Sequence, residues 1–327
     1  MPIRPLISLL LCTVSILLAL PLNAQQRTEY VIAPSGLRLR ASPNAGAAVV
    51  GKLANGAACI PLAEKAIGQH TLFTVPNQGQ YFYNDYNYDT FDGQGVRPIY
   101  TEWLKVRSGD LEGYAATAYL YPSRPRPVPN EIIYVDSLLE LSTVPTNTKD
   151  FSWYALRLRD GQPTLIKEEV EFLRYNGEID LSIEIIPHGG LPFSGIIGSR
   201  RPLREGPLQT SFFSSDYTPQ HQFTKLDELP IDYDAFFSGP NAGKAEHTYR
   251  CTDPTSKAEV TFRLTDGGAT PRTIRLIADI DQDGLLDYVL LSAAYGDMST
   301  QVAIYLGTDE KDGVLQPSFS YIVYQGC

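Results

Sequence analysis

The sequence predicts a mostly β protein built as a small barrel, a Pro-rich linker and a β-rich C-terminal domain. Apolar residues recur at every second position, as in Leu37-Arg38-Leu39-Arg40 and Ile179, Leu181, Ile183 and Ile185. That spacing turns one face of a strand inward and leaves the other in water. Gly (26 residues) and Pro (24) punctuate the chain throughout, and Tyr is abundant at 20, whereas helix-period patterning is scarce. Many short alternating runs between turn residues read as all-β or nearly so. A length of 327 residues suits two domains.

The chain opens with Arg4, an apolar run from Leu6 to Leu20, and then Pro21-Leu22-Asn23-Ala24 before polarity begins at Gln25. A charged start, a short apolar segment and a small terminal residue describe a secretory signal peptide over residues 1–24. The run is too short for a membrane span of about 20 apolar residues. The expectation is an exported protein, periplasmic or extracellular, without a transmembrane segment after processing. Cys12 leaves with the leader, so Cys59, Cys251 and Cys327 remain. Cys251 and Cys327 share the second half and are expected to pair, while Cys59, after Ala57-Ala58, reads as a small buried apolar residue. The net charge is −10, and losing Arg4 makes it −11. That balance excludes nucleic acid and anionic membrane as partners, since both need clustered positive charge.

In the first domain, Tyr30 to Ala33 alternates into the turn Pro34-Ser35-Gly36, and Leu37 to Arg40 alternates again. Ala41-Ser42-Pro43-Asn44 is a further turn. Val49 to Leu53 leads to Asn55-Gly56, the strongest short hairpin signal. Cys59-Ile60-Pro61-Leu62 gives another strand, and Trp103-Leu104-Lys105-Val106, Gly113-Tyr114 and Tyr119-Leu120 complete the unit. These motifs, in this order over residues 28–121, resemble a bacterial SH3 (SH3b) domain. The resemblance implies a small SH3-like barrel used for wall or peptide binding in envelope proteins, without catalysis of its own.

The departure is an insertion over 66–100 that carries Tyr81, Tyr83, Tyr86 and Tyr88 interleaved with Asn and Asp. Aromatic faces stack on sugar rings and peptide side chains. With Trp103 these tyrosines are the candidate ligand-binding residues for a cell-wall peptide or glycan, or for another envelope protein. The alternative is that the rings pack over the barrel or form an extended hairpin.

Pro122-Ser123-Arg124-Pro125-Arg126-Pro127-Val128-Pro129 marks the linker, 122–130, expected as a semi-rigid spacer. In the β-rich domain, 131–327, Trp153 to Leu158 alternates before the turn Asp160-Gly161. Lys167 to Tyr175 fits either a short helix or a strand, and Pro187 to Asp234 reads as long loops. Near the C-terminus Asp279, Asp281, Asp283 and Asp287 form D-x-D-x-D-G-x-x-D over 279–287, between apolar runs. Alternating carboxylates on a tight loop converge, and this density of hard oxygen ligands suits calcium. It is not an EF-hand, because Leu290 stands at the twelfth position, where that loop needs Glu. Leu276 to Leu290, followed by Val302 to Gly307, resembles one FG-GAP/VCBS-type calcium repeat. The resemblance implies strand flanks and a structural calcium.

No catalytic constellation emerges. Cys251 precedes Thr252-Asp253-Pro254 and lacks the Asp-Cys-Ser-Gly setting of wall peptidases. His188, His221 and His247 sit in no ligand motif and are expected at the surface or as satisfied polar groups. Glu168 and Glu169 read as a solvated face. The reading is therefore a non-enzymatic envelope binding protein. A wall hydrolase with its site among Pro187 to His247 is the alternative, and a purely structural factor acting through homotypic contacts, through Cys59 for example, is a third.

Overall fold

The computed structural model describes residues 27–63, 66–77, 95–125, 127, 129–135, 138–140, 148–174, 182–190, 194–214, 221–227, 247–252, 258–264, 270–294 and 299–324. The expected leader, Tyr81, Tyr83, Tyr86, Tyr88 and Cys327 lie outside these residues. Within them the chain is nearly all β, with helix confined to short 3-10 turns such as Thr117–Tyr119. No helix among them is long and apolar enough to cross a membrane.

The first part is one sheet. Its strands pair in the order Val49–Leu53, Leu37–Arg40, Leu111–Ala116, Gly95–Ser108, Ala58–Pro61, Glu29–Val31, Leu120–Tyr121, and Ile67–Asn77 adds to Gly95–Ser108. Leu37 and Leu39 are buried and Arg38 exposed, as alternation requires. They join Val31, Leu53, Cys59, Val106 and Ala115 in one core.

Two expectations change here. The sheet does not close into a barrel. Its last strand instead sends Tyr121 into the core of the C-terminal part. Nor is Asn55-Gly56 a hairpin turn. Gly56 does adopt φ +77, but its N–H donates to the Val31 carbonyl at 2.7 Å, and Val31 N–H donates to Ala57 at 3.0 Å. The first strand thus captures the turn, and Ala58–Pro61 pairs with Glu29–Val31 and Gly95–Ser108 rather than with Val49–Leu53.

The described ends of the insertion pair as a hairpin, while its four tyrosines lie outside the described residues. Ile67–Asn77 pairs with Gly95–Ser108 from Ile67 opposite Trp103 to Asn77 opposite Gly95.

The C-terminal part is layered around an inner sheet ordered Thr210–Phe213, Thr270–Ala278, Asp287–Ala294, Ser299–Tyr305, Phe319–Tyr324. Alternate residues of this sheet face two different cores. Val289, Leu291, Val302 and Ile304 face a large core shared with Ile133, Tyr154, Ile185 and Ile197. Leu290, Ala303 and Tyr305 face a second core with Tyr249, Phe262 and Leu315 of the outer sheet. Burial on both faces explains why Tyr288-Val289-Leu290-Leu291 reads as an unbroken apolar run rather than an alternating one. Each fully buried aliphatic side chain contributes about 1.5–3 kcal/mol. The ambiguous Lys167 to Tyr175 segment contains the strand Val170–Arg174, which pairs with Ser182–Pro187.

The two parts share buried surface. Val75, Ile99 and Ala118 from the first pack with Leu173 and Ile186 from the second. The Tyr119 hydroxyl is hydrogen-bonded to Glu171. Phe73 lies 6.2 Å from His188, ring to ring. Gly190, at φ +79, leaves no room for a side chain: a Cβ there would stand 1.9 Å from the Pro76 carbonyl oxygen. The Pro-rich strip 122–130 therefore connects parts that touch.

Candidate functional site

The acidic loop links Thr270–Ala278 to Asp287–Ala294 at the pair Ala278–Asp287. Gln282 (φ +64) and Gly284 (φ +93) take the left-handed conformations that fold it tightly. Asp279, Asp281 and Asp283 each bring a carboxylate oxygen to within 4.8 Å of the others. Calcium holds its oxygens at about 2.3–2.6 Å, so oxygens this close can share one ion. Asp279 Oδ1 is buried without a hydrogen-bond partner, and Asp279 Oδ2 accepts from Gly284 N–H at 3.2 Å. Three of the four expected ligands thus meet, close enough to hold a metal ion.

Asp287 plays another part. It is fully buried. Its Oδ2 accepts from Ile280 N–H at 2.7 Å and Asp281 N–H at 3.1 Å, and its Oδ1 accepts from Gly307 N–H at 2.9 Å. Both oxygens are spent on the backbone, so Asp287 pins the loop rather than joining the three ligands. Burial pushes its carboxyl up to about 7, against the pull of those N–H groups. Asp281 is also raised, by burial first and by Asp283 next, while Arg201 opposes the shift. Arg201 donates to Asp281 Oδ2 at 2.6 Å and to the Asp281 carbonyl at 3.0 Å.

Several loop residues were not legible in sequence. Arg201 comes from 80 positions away. Gln282 clamps the Arg204 backbone in both directions at 2.8 Å. A Cβ on Gly307 would stand 2.6 Å from Leu285 Cβ, so the glycine lets the next strand's end close over the loop. Only Gly307, standing after an apolar strand, carried a sequence signal.

Trp103 is corrected. It is 3% exposed, so its ring offers no face to a ligand; Ile67 stands opposite it on one side and buried Ala116 on the other. The four insertion tyrosines fall in the connection between the paired residues Asn77 and Gly95.

The remaining reactive side chains are dispersed. Cys251 is buried, and its pairing with Cys327 falls outside the described residues. His247, Tyr249 and Cys251 face the same side of Glu259–Leu264's neighbour, the strand His247–Thr252. Four residues along a strand separate His247 from Cys251 by about 13 Å, too far for a nucleophile–base contact. His247 and His221 are buried at 4% and 7%, not on the surface: His247 is on the buried face of its strand, and His221, just before Gln222–Lys225, packs against Phe212. His221 meets Phe212 edge-on at 4.6 Å. Glu168 is corrected as well: Arg157 holds it at 2.8 and 3.1 Å, and it is nearly buried, whereas Glu169 is solvated.

Compared with known proteins, the chain matches no family model, no curated protein and no solved structure.

Proposed function

We propose that this is an exported, non-enzymatic envelope protein that binds a cell-wall peptide or glycan through its SH3-like first part. The C-terminal part serves as a platform stiffened by calcium. The observation that supports the reading is the long hairpin Ile67–Asn77 with Gly95–Ser108, which, past two register shifts, stays paired to Asn77 opposite Gly95. The connection it supports holds Tyr81, Tyr83, Tyr86 and Tyr88, rings suited to stacking on sugars or peptide side chains. The resemblance to bacterial SH3 domains agrees with such a role.

The convergent Asp279, Asp281 and Asp283 support the calcium reading. Asp279 would offer its unpartnered Oδ1, with Asp281 and Asp283 completing the carboxylate set. A bound cation supplies charge balance to the loop and ties two strands of the inner sheet together.

Cosedimentation with purified wall material, in calcium, tests the proposal. Retention of the protein in the pellet without release of soluble wall fragments is expected. Fragment release would instead identify a hydrolase, and failure to sediment would remove wall material as the ligand.

A further inference from the structure

The two parts of the molecule meet at an open cleft of about 770 Å3. That size lies within the usual range for small-ligand sites. Pro61, Leu62 and Leu104 give it aliphatic walls, and no aromatic ring lines it among the described residues. Two arginines reach it from different parts, Arg27 from the start of the first sheet and Arg174 from the end of Val170–Arg174. Between them lies Glu29, whose side chain is 1% exposed.

Both Glu29 oxygens are buried and neither accepts a hydrogen bond. Arg27 and Arg174 reach Oε1 as ion pairs out of hydrogen-bond alignment, Arg174 at 4.0 Å. A carboxylate withdrawn from water is costly unless neighbouring charge compensates it. Here the compensation is two guanidinium groups that remain partly open, with side-chain exposures of 58% for Arg27 and 20% for Arg174. A guanidinium has five N–H donors in a fork that matches a carboxylate. Burying Glu29 beneath two such forks fixes both beside one void.

We propose that this cleft binds the C-terminal carboxylate of a short aliphatic peptide. Arg27 and Arg174 form the carboxylate-binding pair, and Glu29 is the buried positioning residue that holds them. Aliphatic walls suit small apolar side chains, and none of the described lining residues offers the aromatic face on which a sugar ring would stack. Among the described lining residues Glu29 and Glu102 balance the two arginines, so the cleft favours a singly charged carboxylate carrying N–H donors over a multiply charged phosphate. The inference rests on the envelope-binding reading for its choice of a peptide, and adds a second contact region to it.

Titration calorimetry with trialanine, its C-terminal amide and glucuronate tests the cleft. Trialanine is expected to bind, with the amide and glucuronate weaker by about tenfold or more, the loss expected for a charged hydrogen-bonded pair. Arg27→Lys, which keeps the charge beside Glu29 but not the carboxylate-matching fork, should weaken trialanine toward the level of the amide with little change in melting. Glu29→Gln should lower the acid-over-amide preference, read as the ratio of the two affinities. Equal binding of acid and amide, glucuronate binding as tight as trialanine, or no trialanine binding overturns the site. An undiminished acid preference in Glu29→Gln overturns the positioning role. Wall cosedimentation, run beside these titrations, separates the two readings. Sedimentation without trialanine binding overturns the cleft alone, and trialanine binding without sedimentation overturns the envelope reading alone.

Discussion

Cys59 shows how one residue type can hold opposite meanings. Its sequence setting reads as a buried apolar residue, and the structure agrees: it is 1% exposed, and burial, reinforced by the Glu29 charge, pushes its thiol up to about 12. A thiolate is the reactive form, so the native protein should resist iodoacetamide at Cys59 at pH 8 and take up label only when unfolded. Labelling at the native rate of a free thiol would contradict this and revive a disulfide-linked assembly. His247 makes a second prediction. Burial first, and Lys225 next, hold its imidazole below the ordinary 6.5, while Asp227 opposes them. Below pH 6.5 the unfolded chain takes up a proton that the folded chain refuses, so stability falls as pH drops through that value and is level above it. Urea unfolding at pH 5 and 7.5 should show this acid loss, and His247→Phe should flatten it; an unchanged slope in the variant would assign the loss elsewhere. What sequence could not supply at this scale was partnership. Asp287 looks like its three acidic neighbours in a string of letters, yet its oxygens serve Ile280, Asp281 and Gly307. Gly307 lies 20 residues away, and only the fold brings it back.

At the scale of elements, periodicity decided strands well and their partners badly. Leu37 and Leu39, or Ile183 and Ile185, announce a buried face by spacing alone. Asn55-Gly56 announces a turn but not which strands flank it as partners, because pairing depends on where the first strand lies. Likewise Glu168 reads as solvated until Arg157, on the adjoining strand, closes on it. The turn after Ser182–Pro187 is an equally non-local feature, and it carries the sharpest test of the junction. Gly190→Ala forces a Cβ against the Pro76 oxygen at a φ of +79. It should destabilise by about 2–3 kcal/mol in urea unfolding. Gly161, at φ +77 with open space around it, is the control. Gly161→Ala should cost about 1 kcal/mol. Similar losses at both positions would mean that the hairpin does not rest on that turn. The acidic loop predicts a melt. With calcium in large excess the melting temperature should rise by about 5 °C or more. Asp279→Asn removes a carboxylate whose Oδ1 lacks a partner. In chelator it should melt at or above the unsubstituted protein, and the calcium shift should vanish. A calcium shift that survives the substitution would place the ion elsewhere.

For the whole molecule, the sequence conveys class and order: an all-β chain, a hairpin-bearing first part, a Pro-rich strip, and a layered second part with its acidic loop near the end. It does not convey that the first sheet stays open, nor that Tyr121 and Ile32 complete the core of the second part. Those features depend on contacts between residues far apart in the chain, which alternation within a strand does not encode. The same holds for Trp103, whose large aromatic ring reads equally well as ligand surface and as core until the strands on both sides of it are known. The central claim is that the first part binds wall material through what its hairpin displays. Replacing residues 78–94 with an Asn-Gly turn keeps the Asn77–Gly95 pairing and removes the tyrosines, since that dipeptide favours a two-residue hairpin loop. The decisive measurement is the fraction of this variant that cosediments with purified wall material in calcium, beside the unsubstituted protein. Sedimentation should fall by about tenfold, the loss expected when several aromatic anchors are removed, with the melting temperature unchanged. Undiminished sedimentation by a folded variant would contradict it.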